Sequence, residues 1–336
     1  MKILFSSYHN PHFITITEYI ERAIERLGHS LIAFDDQALI IPGRIRQKVH
    51  FLQNWDLNRL NNNFMSLVFH HEPDLCLIAG GHRILQETIK KLGARGMRTA
   101  LWTIDPPRDF QPIIKAAPYY DFVFCGGTEA QDLLAKAGIK KTHWLPFACE
   151  PEVHKPIDIT LEERKMWGSD VTFVGSFYPY RGQILEQISD FDLKVWGPGW
   201  DKLSPRSPLK KLARDTKLKP KEWIKIFSSS KINIAIHYQD GKILCYQASP
   251  KVYETLACQS FLLVDNQKDV RSLFEDGRHL VIFNDIKDLR EKIVYYLNNP
   301  EEREKIVKQG YQEVIQKHAY LHRLKEMFYI IETKGQ

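Results

Sequence analysis

Cysteine is scarce in this sequence and forms no recognisable motif. The five cysteines of the 336-residue chain are scattered, and none belongs to a Cys-x-x-Cys pair. Neither a disulfide framework nor a zinc site is therefore indicated, and thiols in such apolar segments are usually reduced core residues. Long apolar runs are also missing, since no stretch approaches transmembrane length and Met1–Ser7 is too short for the apolar region of a signal peptide. These absences favour a soluble cytoplasmic protein.

The common phosphate-binding and metal-binding motifs are also missing. The turn after the apolar run 171–174 is neither a Gly-x-Gly-x-x-Gly loop nor a Walker loop, because the required glycine and lysine spacing is absent. A dinucleotide or ATP site is therefore disfavoured. We find no clear Asp-x-Asp metal motif on a loop, and the nearest approximations are Asp35–Asp36 and the pair Asp105 and Asp109. The sequence predicts no metal site.

The excess positive charge is concentrated in one stretch. The formal net charge is +6, and residues 206–225 alone hold eight Lys or Arg against two acids, so the rest of the chain is balanced. A nucleic-acid-binding protein usually has a broad basic face, so this distribution argues against a nucleic-acid partner. The stretch is either a solvated loop and helix face or a contact for a membrane surface or an anionic acceptor.

Short apolar runs alternate with helical segments along most of the chain. Six such runs precede residue 150, and the alternation stops in a polar stretch with Pro151 and Pro156 before five more runs follow. Alternation of this kind predicts parallel sheets with helices on both faces. We therefore predict an α/β protein of two facing Rossmann-like, doubly wound domains. The predicted segments are 1–150 for the first domain, 151–169 for a linker, 170–312 for the second domain and 313–336 for a carboxyl-terminal helix.

The segment 249–265 predicts a helix, a turn and a buried strand, and it contains a candidate anion site. Ser249 suits the N-cap and Pro250 suits the first helical position. Lys251 would lie in the first turn, where free amide N–H groups attract anions, and Glu254 would lie one turn deeper on the same face. A nucleoside diphosphate would suit this pair, with phosphate at the cation and ribose hydroxyls at the carboxylate. A capped helix with a surface Lys/Glu pair is the alternative.

A second candidate site follows the first apolar run of the second domain. Gly175 and Ser176 permit close approach of the backbone to a ligand, and Arg181 offers a planar cation near the next helix start. Gly197, in the loop Trp196–Trp200, marks the end of the next strand. Because ligands of such sheets bind beyond the carboxyl ends of the strands, we expect these residues to share a rim with the candidate anion site.

These segments together resemble the CgeB-like, spore-maturation-type glycosyltransferases. The matching residues follow one another along nearly the whole chain and are 80–84, 101–105, 122–128, 144–147, 171–176, 251–265 and the tail from Tyr295 to Arg323. The resemblance implies the GT-B fold, with two Rossmann-like domains and a terminal helix that crosses back to the first. It also implies a nucleoside-diphosphate sugar in the second domain, an acceptor at the first, and neither a cofactor nor a metal ion.

The resemblance also implies roles for the candidate donor-binding residues. In related retaining enzymes of this fold a Glu-x7-Glu motif ends on the ribose-binding glutamate, which corresponds to Glu254, whereas Tyr246 replaces the first glutamate. Arg181 matches the cation of a basic–glycine pair that binds the diphosphate. The preceding basic position of that motif is Ser176, so we expect Lys251 to replace one phosphate contact.

Polar loops follow several consecutive strands of the first domain, on the acceptor side. They bring His9, His82 and Arg83 to neighbouring strand ends, and Asp105 closes another buried strand. Such loops at one sheet edge predict a functional cleft. Asp105 is the catalytic candidate there, as a general base if the reaction inverts or as a group that orients the acceptor if it retains. A carboxylate that caps the turn before Pro106 is the alternative.

We therefore predict a metal-independent, hexosyltransferase-like enzyme that uses a UDP- or dTDP-linked sugar and a carbohydrate or protein acceptor. A sugar-nucleotide epimerase of the same fold would need paired acids around the sugar, and we find one well-placed carboxylate per domain. A non-catalytic sugar-nucleotide-binding protein is the third hypothesis, because Tyr246 replaces a motif glutamate. The predicted location is cytoplasmic, with weak peripheral contact at the inner face of the membrane through residues 206–225.

Overall fold

The fold consists of two compact units that each contain one sheet. The computed structural model describes residues 1–46, 48–105, 107, 110–239, 241–243 and 245–334. Met1–Pro146 and Tyr320–Gln336 form the first unit, and Phe147–Ala319 forms the second. Each sheet has six strands, and all neighbouring strands run parallel. The predicted α/β class, with two doubly wound domains, is confirmed.

Strands and helices alternate from the amino terminus of the first unit. The strands are β1 (Lys2–Ser7), β2 (Ser30–Asp35), β3 (Leu75–Ala79), β4 (Thr99–Thr103), β5 (Phe122–Cys125) and β6 (His143–Trp144). The helices are α1 (Ile16–Arg26), α2 (Gly43–Arg46), α3 (His50–His71), α4 (Gln86–Gly93), α5 (Gln111–Ala116) and α6 (Thr128–Lys136). The sheet order is β2-β1-β3-β4-β5-β6. Strands β3, β4 and β5 are buried along their whole length, as expected for parallel strands covered by helices.

The second unit repeats this alternation. Its strands are β7 (Val171–Val174), β8 (Leu193–Gly197), β9 (Ala213–Asp215), β10 (Ile232–Ala235), β11 (Leu262–Asp265) and β12 (Val281–Phe283). Its helices are α7 (Leu161–Trp167), α8 (Pro179–Glu186), α9 (Pro220–Ser229), α10 (Pro250–Ala257), α11 (Lys268–Leu273), α12 (Ile286–Asn298) and α13 (Pro300–Lys317). The sheet order is β12-β11-β10-β7-β8-β9, so the chain winds outward from β7 in both directions.

The last helix, α14 (Tyr320–Lys334), belongs to the first unit, as the fold prediction requires. Tyr320 packs against Tyr19 of α1 with 6.0 Å between ring centroids, and Phe328 meets His29 edge-on at 4.7 Å. Arg323 is buried, and its Nε donates to the Pro146 carbonyl at 3.0 Å. These contacts anchor the carboxyl-terminal helix on the sheet that the chain left at residue 146.

Four details differ from the sequence expectations. The units divide after Pro146 and not at 150, and the predicted linker 151–169 lies wholly in the second unit. Within it, α7 is anchored by the Glu163–Lys225 ion pair at 2.7 Å, and Trp167 packs on Trp196. The carboxyl-terminal helix starts at Tyr320 and not at 313, because α13 runs on to Lys317. The sequence prediction also missed β9, since a three-residue edge strand with two charged residues has no apolar run.

Gly310→Ala should destabilise the second unit even though alanine is the better helix former. A Cβ at Gly310 of α13 would overlap the His279 carbonyl and touch the Leu256 side chain. Overpacking of this kind costs about 1–3 kcal/mol, whereas Gly→Ala in an unobstructed helix position gains about 0.5–1 kcal/mol.

Urea unfolding measures both effects. Gly93→Ala is the matched control, because no described atom outside its own turn lies within 4 Å of a Cβ at that position. Equal stability of Gly310→Ala and the wild type would contradict the close approach of α13 to the His279 loop.

Candidate active site

The strand order of the second unit reverses direction between β7 and β10. Strands β8 and β9 lie on one side of this pair, and β11 and β12 lie on the other. Ligands of doubly wound sheets bind beyond the carboxyl ends of the strands at such a switch point. Gly175, Ser176 and Arg181 follow β7, and α10 begins at the end of the loop after β10. The topology therefore brings both halves of the predicted donor site to one sheet edge.

Arg181 is held by carbonyl groups from both of these loops. Its Nε donates to the Ile236 carbonyl at 2.8 Å, and its Nη1 donates to the Ser176 carbonyl at 3.0 Å. The guanidinium also lies 4.8 Å from the centre of the Tyr178 ring. Burial lowers the pKa of Arg181, but a guanidinium stays charged in proteins. Arg181 is thus a fixed cation at the switch point.

Gly175 and Gly197 allow the ends of β7 and β8 to touch. A Cβ on Gly197, whose φ is +140°, would overlap the Gly175 carbonyl, and a Cβ on Gly175 would press on the Phe173 ring. The Trp200 indole donates to that same carbonyl at 2.8 Å. Close packing by itself accounts for both glycines, and their contact with a donor stays a prediction.

A buried histidine and aspartate fix the start of α10. His237 Nε2 accepts the Ser249 N–H at 2.9 Å, so the ring proton is on Nδ1, which donates to Asp265 Oδ1 at 2.5 Å. Burial alone would raise the pKa of Asp265, but its bonds with His237 and Gln267 hold that pKa below its usual range. Ser249 is the N-cap residue and Pro250 begins the helix, as predicted. The sequence analysis missed this His–Asp pair, whose members lie on different strand ends.

Lys251 and Glu254 lie on the first and second turns of α10. Within the part of the chain that the structure describes, no hydrogen bond or ion pair holds the half-buried Lys251 ammonium. Burial lowers the pKa of Lys251, Glu254 raises it and Arg181 lowers it again, so all three charges lie within electrostatic range. Burial of this ammonium near a guanidinium is costly, and the Glu254 carboxylate opposes that cost without pairing directly with the ammonium. The edge is therefore suited to an anionic ligand.

His154 faces the Glu254 carboxylate from the segment that was predicted as a linker. Its Nε2 lies 3.9 Å from Glu254 Oε1, and its Nδ1 accepts the Glu150 N–H at 3.1 Å. Burial lowers the pKa of His154, so near neutral pH the ring is uncharged and has its proton on Nε2, towards Glu254. No sequence signal indicated this contact, because His154 lies in a polar, strand-poor stretch and meets Glu254 only through the fold.

Tyr246 occupies the position of the absent first motif glutamate. Its carbonyl accepts the Asp269 N–H at 3.1 Å, and the Lys268 ammonium lies 5.1 Å from the centre of its ring. Asp269 is fully buried. The Tyr246 position thus provides an aromatic ring and a backbone contact where the motif has a carboxylate.

In the first unit, three of the predicted acceptor-side residues surround Asp36. Arg83 Nη1 lies 3.7 Å from Asp36 Oδ1, and His9 and Asp105 are within electrostatic range. Burial raises the pKa of Asp36 to about 6; Arg83 and His9 lower it, while Asp35 and Asp105 raise it. The loops after β1 to β4 therefore meet at one edge. Sequence reasoning considered Asp36 only as half of an incomplete metal motif, although its place directly after β2 was a usable signal.

The acceptor-side residues differ in how they are held. His9 Nε2 lies 2.7 Å from Glu21 Oε1, and burial raises the pKa of Glu21 although His9 opposes this. His82 is half-buried in the loop after β3, and Asp105 is exposed two residues beyond β4. Residues 106, 108 and 109, which include Asp109, lie outside the described residues. Asp105 is thus accessible to an incoming group, whereas Asp36 is enclosed.

One Asp-x-Asp pair, Asp190 and Asp192, does occur and was overlooked in the sequence. Asp190 accepts two hydrogen bonds from Arg290, at 2.6 and 2.7 Å, and Asp192 accepts the Asp170 N–H at 3.0 Å. Both precede β8 and therefore lie at the amino end of the sheet, away from the switch point. Among the described residues, no group of three His, Cys, Asp or Glu is arranged to hold a metal ion.

The basic stretch 206–225 forms exposed surface in the second unit. Its two acids accept local backbone hydrogen bonds, Asp215 from the Gly199 N–H at 2.6 Å and Glu222 from the Lys219 N–H at 2.6 Å. Lys225 pairs with a carboxylate of α7, whereas the exposed cations are Arg206, Lys210, Lys211, Arg214, Lys217, Lys219 and Lys221. No helix in the described ranges is long and apolar enough to cross a bilayer.

Comparison with known sequences supports the resemblance. Residues 181–328 match a family model described as glycosyl transferase-like. The spore protein CgeB of Bacillus subtilis (strain 168) is 20% identical over 257 residues, which cover 73% of this chain and 78% of CgeB. The resemblance to the CgeB-like glycosyltransferases is thereby confirmed.

Comparison with solved structures supports the fold. Sucrose-phosphate synthase from Thermosynechococcus elongatus superposes with a TM-score of 0.71 at 10% identity over 100% of both chains. Anabaena HepE, solved in complex with UDP-glucose, superposes with a TM-score of 0.65 at 12% identity over 99% of this chain and 100% of its own. Likeness at such low identity establishes the fold, which is the predicted GT-B fold.

Replacement of Asp36 by Asn should change how stability depends on pH. Asp36 has a folded-state pKa of about 6 and an unfolded-state pKa of about 3.9. Its stabilising contribution is therefore complete below about pH 4 and lost as the pH rises through about 6. The unfolding free energy of Asp36→Asn minus that of the wild type should therefore be about 3 kcal/mol larger at about pH 7 than at about pH 4.

Urea unfolding across this pH range measures the difference. The control variant, Asp158→Asn, removes one exposed carboxylate from the second unit and should show no comparable rise. A difference for Asp36→Asn that does not vary with pH would contradict the burial of an ionised carboxylate at this edge.

Proposed function

We propose, from the premise that this chain is a CgeB-like glycosyltransferase with the GT-B fold, that it moves a sugar from a nucleoside-diphosphate sugar to a carbohydrate or protein acceptor. A UDP-linked sugar is the first choice of donor, because HepE is solved with UDP-glucose, and a dTDP-linked sugar is the second. The second unit binds the donor, and the first unit binds the acceptor. The proposed reaction uses no metal ion, and the proposed acceptor is not a nucleic acid.

The observation that carries the proposal is the unsatisfied cation at the start of α10. Lys251 is half-buried and unpaired among the described residues, and Arg181 is fixed by backbone carbonyls beside it. Together with the positive end of the α10 dipole, these cations would bind a diphosphate and stabilise its negative charge as it departs. The backbone at Gly175, Ser176 and Gly197 would line the same site.

Glu254 is proposed to hold the ribose. A carboxylate can accept hydrogen bonds from both ribose hydroxyls, and Glu254 lies one turn deeper in α10 than the proposed diphosphate cation. The neutral His154, with its proton towards Glu254 Oε1, would restrict the orientation of that carboxylate. His154 is thus proposed as a positioning residue.

Asp105 is the proposed catalytic residue on the acceptor side. It is exposed at a strand end, within electrostatic range of the buried Asp36. It would take the proton of the acceptor hydroxyl in an inverting reaction, or orient that hydroxyl in a retaining one. Arg83, His9 and His82 are proposed to contact the acceptor from the neighbouring loops.

A pair of variants should separate nucleotide binding from chemistry. Glu254→Ala removes a charged hydrogen-bond acceptor worth roughly 1.5–3 kcal/mol, so UDP should bind about ten- to a hundredfold more weakly. Asp105→Asn keeps the shape but removes the base, so UDP affinity should stay within about twofold while turnover falls about a hundredfold or more. Isothermal titration with UDP and dTDP and donor-hydrolysis assays measure the two effects.

A control variant is needed to interpret the results for Glu254→Ala and Asp105→Asn. Glu152→Ala, which removes an exposed carboxylate of the same unit, should bind UDP as the wild type does. Unchanged affinity in folded Glu254→Ala would overturn the donor-site assignment. Full turnover in Asp105→Asn would overturn only the catalytic assignment and make Asp36, His9 and His82 the next candidates.

The wild-type protein distinguishes the alternative functions. An epimerised donor formed without any acceptor would favour an epimerase, and a wild type without turnover would favour a binding protein.

The basic stretch 206–225 is proposed to make a weak electrostatic contact with an anionic membrane surface. The triple variant Lys210→Ser, Lys211→Ser and Arg214→Ser should lose salt-sensitive binding to acidic liposomes while its UDP affinity is unchanged. Co-sedimentation at low and high salt measures this. A wild-type protein that ignores acidic liposomes even at low salt would refute the proposal.

A further inference from the structure

Exposed apolar side chains are concentrated in one short segment of the first unit. Five of the thirteen exposed large hydrophobic residues in the described part of the chain lie between residues 40 and 55, namely Ile40, Ile45, Val49, Phe51 and Trp55. Phe51 is 74% exposed and Ile40 is 60% exposed. We call residues 40–46 and 48–55 the α2–α3 surface. Soluble proteins rarely leave a large apolar patch uncovered unless it binds something, and these five exposed side chains lie within one short segment of the chain.

The backbone of the α2–α3 surface is fixed from within. The buried carboxylate of Asp56 accepts the Ile40 N–H at 3.2 Å and the Ile41 N–H at 2.9 Å. Arg59 Nη2 donates to the Ala38 carbonyl at 2.6 Å. The opposite side of α3 is buried in the core. These bonds tie the start of the α2–α3 surface to the buried side of α3.

The charge of the α2–α3 surface has one sign. Arg44, Arg46 and Lys48 are interspersed with the apolar residues, and the sequence contains no acid between Asp36 and Asp56. Phe51 and Trp55 are four residues apart on α3 and so share one face of the helix. Aromatic anchors interspersed with Lys and Arg are the composition that binds an anionic bilayer interface, where the rings enter the headgroup layer and the cations meet lipid phosphates.

We propose that the α2–α3 surface docks on an anionic lipid bilayer, with Phe51 and Trp55 inserted at the headgroup level and Arg44 and Lys48 paired with lipid phosphates. A nucleic acid would match the cations but not the exposed aliphatic side chains, and a second copy of the chain is left as an outcome of the test. Because β2 ends at Asp35, directly before this surface, the loop that contains Asp36 would lie close to the bilayer. The inference does not depend on transferase activity.

This surface differs in kind from the basic stretch 206–225. None of the exposed large hydrophobic residues among the described ones falls within 206–225. Binding through that stretch would be electrostatic and lost in high salt, whereas binding through the α2–α3 surface has an apolar component that salt does not screen. The two contacts can therefore be told apart in one experiment.

The test uses the full chain in co-sedimentation with vesicles of phosphatidylcholine, with and without phosphatidylglycerol. The wild type should bind the anionic vesicles, bind the neutral vesicles less, and keep part of its binding in high salt. The double variant Phe51→Ser, Trp55→Ser should lower the partition coefficient at least about tenfold, including the part that persists in high salt. Arg44→Ser with Lys48→Ser should lower it roughly tenfold or more at low salt.

Matched controls keep the result specific. Leu161→Ser with Met166→Ser removes two exposed hydrophobic residues of the second unit and should leave binding unchanged. The melting temperature and UDP affinity of each variant should match those of the wild type. If the double variant does not fold, Phe51→Ser alone replaces it. The proposal is overturned if the wild type ignores anionic vesicles, if it prefers neutral ones, or if the Phe51/Trp55 variant binds as the wild type does. A dimer that this variant abolishes, without vesicle binding, would assign the surface to a second copy of the chain.

Discussion

The hydrogen-bond chain from Asp265 through His237 to the Ser249 N–H fixes the start of α10, and the candidate donor site depends on it. A helix turns by about 100° per residue, so a start displaced by one position would rotate Lys251 and Glu254 off their present face. The pair is buried, which makes its hydrogen bonds costly to break and the position of the helix correspondingly well defined.

The two candidate edges differ in their electrostatics. At the edge of the second unit, the charges of Lys251 and Arg181 are opposed by those of Glu254 and Asp265, but no described side chain pairs directly with the half-buried Lys251 ammonium. At the edge of the first unit, Asp36 is buried near two other acids, and burial holds its pKa at about 6. Perturbed groups gathered at strand ends are typical of functional sites. These charges support our proposal that the edge of the second unit binds a diphosphate and that the edge of the first unit binds a neutral hydroxyl.

The features that were predictable are those that depend on residues close together in the chain. Ser249, Pro250, Lys251 and Glu254 fall within one and a half helical turns, so their order along α10 follows from helix geometry. The alternation of apolar runs with helices likewise indicated parallel sheets, and parallel sheets bring their loops to one edge. The three-residue edge strand β9 was missed because it has too few apolar residues to show a period.

By itself, the sequence determined the two α/β sheets, the α10 cation and carboxylate, and the set of loops at the strand ends, because each follows from local pattern and strand direction. Only the tertiary structure decided which distant side chains meet. His154 reaches Glu254 from a segment without any strand pattern, and Asp36 acquires its raised pKa from burial and from the nearby acids Asp35 and Asp105, which Arg83 and His9 only partly oppose. Burial and long-range Coulomb interactions depend on distances in space, and one-dimensional spacing does not encode those distances.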